Sequence, residues 1–169
     1  MKRHFLLFGL LIVLFSACTK TSFNAATQAT IDDNKIKAYI AANHISGMIK
    51  DPSGLYYTLV KQDTAGAHPS VTDTVQVSYT GKLLNGTVFD TEEATTLPMA
   101  DVVKGWQIAI PYMTYNVTQG NSHIYSRIRL IIPSALGYGS VAQTSSDTTI
   151  PANSVLDFTI DLIGYYPYP

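Results

Sequence analysis

The sequence predicts an α+β domain, in which an antiparallel sheet of four to six strands carries one amphipathic helix against its apolar face. Two patterns predict this fold class. Between residues 54 and 164, several segments alternate apolar and polar residues, which is the period of a half-buried strand. Residues 99–110 instead repeat apolar side chains at helical spacing. We therefore expect the helix to interrupt a β-rich chain.

The N-terminus predicts an export signal. A basic start precedes an apolar run over residues 5–15, which is shorter than the roughly 20 residues of a membrane-spanning helix and typical of a signal peptide. Small residues stand directly before Cys18, the only cysteine, and this arrangement resembles a bacterial lipoprotein signal. We predict a signal peptide at residues 1–17 and lipidation of Cys18. An ordinary signal peptide with an incidental cysteine is the alternative.

Residues 18–31 are predicted to be a lipid-anchored flexible tether, because small and polar residues predominate there. A helical extension is predicted over residues 32–53. Asp32 and Asp33 stand where helix N-caps belong, and the predicted helix covers about residues 33–43. Its apolar residues recur at helical spacing: Ile36, Tyr39 and Ile40.

The main domain is predicted over residues 54–164 and is followed by a tail at 165–169. Strand-forming residues dominate 55–60. Alternating patterns predict three further strands around residues 75–80, 127–132 and 156–162. Asn85-Gly86 lies between two apolar pairs and predicts a β-hairpin.

The central helix is predicted to open near Asp101 and to close before Pro111. Its apolar stripe consists of Met99, Val102, Val103, Trp106 and Ile110. Gly105 lies inside this helix, where glycine costs about 1 kcal/mol relative to alanine. We therefore expect a packing or functional reason for it.

The composition excludes several classes of function. Eleven Lys and Arg residues against twelve Asp and Glu residues give a net charge of −1, which excludes a dedicated electrostatic nucleic-acid binder. The four histidines lack metal-ligand spacing, and no G-x-S-x-G nucleophile motif occurs. We predict neither a metal nor a cofactor. Eleven Tyr and six Phe favour chemistry carried out by apolar, aromatic groups.

Five motifs follow one another along residues 54–164. In order they are Val75-x-Val77-x-Tyr79-Thr80-Gly81; Gly86-x-x-Phe89-Asp90; Val102-Val103-x-Gly105-Trp106; Leu130-Ile131-Ile132-Pro133 with Gly137-Tyr138-Gly139; and Ile150-Pro151-x-Asn153-Ser154-x-Leu156-x-Phe158-x-x-Asp161-Leu162. Together they resemble an FKBP-type peptidyl-prolyl cis-trans isomerase. The resemblance implies a strongly twisted sheet wrapped on the central helix. The anchored layout is similar to that of exported members from Bacteroidetes-type bacteria.

The resemblance also implies a site. Its catalytic residues would be Tyr79, Phe89, Asp90 and Tyr138, and its substrate-binding residues would be Val102, Val103, Trp106, Ile150 and Phe158. Trp106 would form the pocket floor, and Asp90 would lie within reach of Tyr79. The backbone N–H of Val103 and the hydroxyl of Tyr138 would donate to the substrate or to an inhibitor.

The expected function is a prolyl isomerase that assists the folding of exported proteins. An apolar cup favours the less polar, twisted form of an amide over its planar form. Proline-containing polypeptides are the expected partners, and macrolide inhibitors of the family are expected ligands. The lipid on Cys18 would hold the protein at the cell envelope, facing the periplasm or in the outer membrane, without contact to nucleic acid.

Other interpretations stay open. Core packing alone would explain Tyr79, Trp106 and Phe158, and Asp90 could cap a turn. Three segments depart from the family pattern: Met113–Arg127 is long, Thr91–Pro98 is short and lacks an aromatic residue, and Ser140–Thr149 contains neither an aromatic residue nor a histidine. A non-catalytic chaperone or proline-peptide binding module is therefore the alternative. A third is an adhesion or scaffold domain that uses Tyr56, Tyr57 and the tail.

Overall fold

A six-stranded antiparallel sheet forms the centre of the structure, which confirms the predicted fold class. The structure is a computed structural model and describes residues 24–62, 66–115, 126–144 and 148–168. The strands of this sheet are β1 (Ile49–Lys50), β2 (Tyr56–Lys61), β3 (Thr74–Leu83), β4 (Val88–Pro98), β5 (Ser126–Ile132) and β8 (Leu156–Tyr166). They lie in the order β1-β2-β5-β8-β3-β4, and the short strands β6 (Gln143–Thr144) and β7 (Thr149–Ile150) pair separately.

Both faces of the sheet bury apolar residues. On one face, alternate residues of the long strands pack under the central helix α2 (Lys104–Ala109), and Ile128, Leu130 and Ile132 are fully buried there. On the other face, Ile131 joins a second cluster beneath the N-terminal helix α1 (Ala25–Ala42). Ile131 lies on the face of β5 where the alternating pattern places polar residues. It is apolar because α1 covers this part of the face.

The β3–β4 connection is the hairpin that Asn85-Gly86 predicts. Gly86 has a φ of +91°, which glycine adopts without a Cβ clash. The Asn85 side chain accepts a hydrogen bond from the Thr87 N–H at 3.0 Å, and the Leu83 N–H donates to the Thr87 carbonyl at 2.9 Å.

The central helix is shorter than its apolar stripe predicts. Met99–Asp101 forms a separate 3₁₀ turn, Val102 and Val103 are extended, and Ile110–Tyr112 forms another 3₁₀ turn. The prediction of one helix from Asp101 to Pro111 is therefore wrong in its boundaries. Packing explains the glycine inside the helix, because a Cβ on Gly105 would lie 2.7 Å from Ile132 Cγ2.

Helix α1 begins at Ala25 instead of near residue 33, so the prediction of a flexible tether is wrong for residues 25–31. The Asn24 side chain caps the helix by accepting a hydrogen bond from the Ala26 N–H at 2.9 Å. The alanine-rich first turns have high helix propensity. Cys18 and the predicted signal peptide lie outside the described residues, and within those residues no helix has the length and apolar character to cross a membrane.

The C-terminal tail also differs from the prediction, since Tyr165 and Tyr166 belong to β8 and pair with Val75 and Thr74. The Tyr168 N–H donates to Asp73 Oδ1 at 2.9 Å. Of the residues in the alternative adhesion surface, Tyr166 and Tyr168 are exposed, whereas the two tyrosines at the start of β2 are covered. Tyr56 is buried, with its hydroxyl on Asp33, and Tyr57 is half-buried against Tyr112.

Candidate active site

An open cavity of about 230 Å³ lies between the sheet and the start of α2. Strands β3, β4 and β8 contribute to its wall, together with the segment before α2 and the loop after β5. Its lining residues are Tyr79, Asp90, Leu97, Asp101, Val102, Val103, Trp106, Tyr138 and Phe158. Seven of the nine predicted site residues are therefore brought together at one cavity.

Three aromatic rings form the base of the cavity. The indole of Trp106 is 3% exposed and meets the rings of Tyr79 and Phe158 edge-on, at centroid distances of 5.0 and 5.3 Å. Among the described residues, the buried indole Nε1 has no hydrogen-bond partner. An unpaired buried donor costs about 1–3 kcal/mol, and such groups are often found at functional sites.

Tyr79 and Asp90 form a hydrogen-bonded pair on the cavity wall. Tyr79 pairs with Glu92 and Asp90 with Gly81, so the two residues are diagonal neighbours on adjacent strands of the hairpin. The Tyr79 hydroxyl donates to Asp90 Oδ2 at 2.7 Å, so Asp90 does more than cap a turn. Burial, the hydrogen bond to Asp90 and the negative charge of that carboxylate raise the pKa of Tyr79 far above its usual value. The phenol therefore stays neutral and keeps its donor proton throughout the physiological pH range.

Tyr138 enters the cavity from the loop after β5, between Gly137 and Gly139. Its hydroxyl makes no hydrogen bond within the described part of the chain. Burial raises the pKa of Tyr138, and the nearby charge of Asp90 adds to the effect. Tyr138 is thus a neutral phenol with a donor available at the cavity.

Val102 and Val103 form the wall beside α2. Both have extended backbone, and the Val103 carbonyl accepts hydrogen bonds from the N–H groups of Trp106 and Gln107 at 2.9 and 3.3 Å. The Gln107 side chain donates to the Val102 carbonyl at 3.1 Å. These contacts fix the backbone of the two valines relative to the helix that carries Trp106.

Phe89 and Ile150 do not line the cavity. Both are buried in the main core, and the Phe89 ring packs edge-on against Phe158 at 5.4 Å. Phe89 is the extra residue of a β-bulge, because Asp90 pairs with Gly81 and Val88 with Lys82. Its ring packs over Gly81 and against Phe158, so it supports a ring of the cavity base without lining the cavity.

Two lining residues, Leu97 and Asp101, are not among the predicted site residues. Leu97 lies opposite Val75 in the β3–β4 ladder, and its apolar side chain occupies the segment that lacks an aromatic residue. No alternation of apolar and polar residues indicates it, because residues 91–96 are all polar or small. Asp101 lies in the 3₁₀ turn before Val102, and no pattern in the sequence indicates it.

Comparisons with known proteins identify the family to which the chain is similar. A family model described as FKBP-type peptidyl-prolyl cis-trans isomerase matches residues 66–163. The chain is 35% identical over 149 residues to the FKBP-type peptidyl-prolyl cis-trans isomerase FkpA of Aeromonas hydrophila, covering 85% of this chain and 50% of that protein. It is also 35% identical over 140 residues to the outer membrane protein MIP of Legionella longbeachae, covering 79% and 54%.

Solved structures extend the similarity to three dimensions. The crystal structure of FkpA from Escherichia coli matches with a TM-score of 0.65 and 28% identity, over 85% of this chain and 63% of that one. AtFKBP13 matches with a TM-score of 0.57 and 28% identity, over 70% of this chain and 98% of that one. The chain spans about half the length of the curated relatives it matches.

Proposed function

The chain belongs to the FKBP-type peptidyl-prolyl cis-trans isomerase family, and we propose that it catalyses cis–trans isomerisation of Xaa-Pro peptide bonds. The observation that carries this proposal is the aromatic cavity of about 230 Å³, whose base is formed by Trp106, Tyr79 and Phe158. Its size and apolar base suit a proline ring, and the hydroxyl of Tyr138 lies at its wall.

The chemistry requires no covalent step. Rotation about a peptide bond has a barrier of ~18–20 kcal/mol, and an uncatalysed Xaa-Pro bond isomerises in tens to hundreds of seconds. Amide resonance separates charge between oxygen and nitrogen, and water stabilises that planar form. A cavity with an aromatic base replaces the water and so lowers the relative free energy of the less polar, twisted amide.

Two donors are assigned to orient the substrate. The Tyr138 hydroxyl and the backbone N–H of Val103 both belong to cavity-lining residues and would bind carbonyl oxygens of the peptide. Fixed donors lower the barrier by holding the amide in a reactive geometry. The Tyr79–Asp90 hydrogen bond would keep the opposite wall rigid while the amide twists.

An isomerisation assay tests this function. The purified protein should accelerate cis–trans exchange of a Xaa-Pro peptide, measured by NMR exchange or by a coupled protease assay. A macrolide inhibitor of the family should abolish the acceleration. Peptide binding without acceleration would contradict the enzyme assignment and favour the proline-binding module. That alternative draws support from the segment Thr91–Pro98, which lacks the family's usual aromatic residue and contributes Leu97 to the cavity wall.

We also propose that the protein acts at the cell envelope on exported polypeptides that contain proline. The apolar segment at residues 5–15 and the lone Cys18 support export and lipid anchoring. Cells that express the chain should incorporate a fatty-acid label into wild type but not into Cys18→Ala, and the variant should leave the membrane fraction. Equal labelling of the two proteins would overturn the anchoring proposal and leave the isomerase proposal intact.

A further inference from the structure

Ser134 organises the backbone on both sides of Tyr138. It begins the 3₁₀ turn Ser134–Leu136 that follows β5. Its carbonyl oxygen accepts the N–H of Gly137 at 3.0 Å and the N–H of Gly139 at 2.8 Å. Because these two glycines flank Tyr138, the position of Ser134 determines where the Tyr138 side chain enters the cavity.

Asp32, on helix α1, holds Ser134 from the opposite side. Its Oδ2 accepts hydrogen bonds from the Ser134 N–H at 2.9 Å and from the Ser134 hydroxyl at 2.6 Å. Oδ1 accepts the side-chain amide of Gln28 at 2.8 Å. Asp32 and Ser134 are each 1% exposed, so water cannot easily replace these bonds if the carboxylate is removed.

Other contacts keep α1 in a fixed position against the sheet. Ile36 is fully buried in a cluster with Tyr56, Ile131 and Val155. One helical turn further along, the Tyr39 hydroxyl donates to Asp157 Oδ2 at 2.9 Å, and Asp157 is paired with Arg129. Asp32 is therefore attached to a helix that is itself anchored to strands β2, β5 and β8.

The neighbouring carboxylate provides a natural comparison. Asp33 lies on the same helical turn but binds Lys37, Lys50 and the Tyr56 hydroxyl, at 2.7, 2.6 and 2.8 Å. None of these partners lies in the turn that carries Tyr138. Both aspartates fasten α1 to the domain, but only Asp32 is connected to the cavity.

We propose that Asp32 is a positioning residue for the isomerase site, acting through Ser134 to hold the Tyr138 hydroxyl at the cavity wall. The inference rests on the proposed function, and it gives the N-terminal helix a role in catalysis. The sequence separation of 102 residues between Asp32 and Ser134 means that a segment outside the family match at 66–163 organises a cavity inside it.

The test compares Asp32→Ala with Asp33→Ala in the full chain. Asp32→Ala should lower kcat/KM for a Xaa-Pro peptide about threefold to tenfold, the effect of losing a typical hydrogen bond. Asp33→Ala should leave kcat/KM within about twofold of wild type, since it breaks contacts of similar number away from the turn. Asp32→Asn keeps an oxygen acceptor for Ser134 and should recover most of the activity.

Two readouts separate positioning from general stability. In a double-mutant cycle, Asp32→Ala should lower kcat/KM no further once Tyr138→Phe is present, because the two changes remove the same interaction. Amide hydrogen exchange at Gly137 and Gly139 should accelerate in Asp32→Ala but not in Asp33→Ala. If Asp32→Ala does not fold, Ser134→Ala replaces it, and about a twofold loss that also disappears in the Tyr138→Phe background is expected.

The outcomes distinguish the two proposals. A wild-type chain without isomerase activity overturns the proposed function and, with it, the catalytic role of Asp32. If wild type is active, two results overturn the positioning inference alone. One is that Asp32→Ala and Asp33→Ala have the same activity. The other is that Asp32→Ala lowers activity equally with and without the Tyr138 hydroxyl.

Discussion

At the scale of single residues, the hydroxyl of Tyr138 lines the cavity without a hydrogen bond to any described residue. Tyr138→Phe should therefore lower kcat/KM about threefold to tenfold, because a substrate hydrogen bond is lost, with little change in melting temperature. Tyr57→Phe is the matched control, since Tyr57 is half-buried against Tyr112, away from the cavity. Equal activity of Tyr138→Phe and wild type in the isomerisation assay would contradict the donor role.

The Tyr79–Asp90 pair makes a second prediction at this scale. Asp90→Ala removes a hydrogen bond and a negative charge that both raise the pKa of Tyr79. The pKa of Tyr79 should fall but stay above its ordinary value, because burial is the largest cause of the shift. Alkaline titration followed by phenolate absorbance measures the pKa of Tyr79. The signal of Tyr79 is the difference between the titration of Asp90→Ala and that of the double variant Asp90→Ala/Tyr79→Phe. An unchanged titration of Tyr79 in Asp90→Ala would argue against the coupling.

Phe89 illustrates what the sequence could not resolve about a site residue. The motif places Phe89 and Asp90 together, yet Asp90 lines the cavity, whereas Phe89 is the extra residue of a β-bulge. Phe89 is 9% exposed and packs against Phe158. Phe89→Ala should cost about 3–5 kcal/mol of unfolding free energy, so a loss of activity would not identify a substrate contact. Phe89→Leu preserves the apolar volume better and is the sharper variant for the isomerisation assay.

At the scale of elements, the apolar part of the contact between α1 and the sheet centres on Ile36. Ile36 is fully buried, whereas Ile31 on the same helix is 42% exposed. Ile36→Ala should lower the free energy of unfolding by about 2–4 kcal/mol, and Ile31→Ala should change it by less than about 0.5 kcal/mol. Chemical denaturation of both variants measures the difference. Equal effects would mean that α1 does not stay docked in solution.

The elements also explain which parts of the fold the sequence could predict. The strands were predictable because one face of β3, β5 and β8 packs against the main core, and the apolar residues that recur every second position belong to that face. The limits of α2 were not, since the stripe from Met99 to Ile110 has helical spacing although Val102 and Val103 are extended. The apolar residues of this segment keep helical spacing because they pack beside the cavity, although the helix itself is interrupted there. Helix α1 begins at Ala25 because Asn24 caps it and because alanine favours the helix. The small and polar residues of this segment predicted a flexible tether instead.

At the scale of the whole molecule, the site depends on contacts between distant segments. The motifs indicated which residues belong to the cavity, because Tyr79, Trp106 and Phe158 each lie in a recognisable pattern. They could not indicate Leu97 and Asp101, which the hairpin and the 3₁₀ turn bring to the wall. The bond between Asp32 and Ser134 crosses 102 residues and leaves no local periodicity. Such links follow from tertiary packing, and only the structure reveals them.

Two paired carboxylates couple the stability of the whole molecule to pH. Hydrogen bonds from Lys37, Lys50 and Tyr56 lower the pKa of Asp33 far below its usual value, and hydrogen bonds from Ser53 and Tyr112 lower that of Asp51. A carboxyl group with a lower pKa in the folded state stabilises the fold above its unfolded pKa, near 4. That stability is lost as pH falls toward the folded pKa.

Acid unfolding should therefore weaken the attachment of α1 and of the β1–β2 region first. The unfolding free energy should stay nearly constant from about pH 8 to pH 5 with respect to these two groups and should decline below about pH 4. Asp33→Asn removes one of them, so its unfolding free energy should lie below that of wild type at pH 7 and approach it as the pH decreases. Urea unfolding at pH 7, 5, 4 and 3 would measure both curves. Because protonation removes the same charge that the substitution removes, a constant difference between the two proteins at every pH would rule out Asp33 as a source of acid sensitivity.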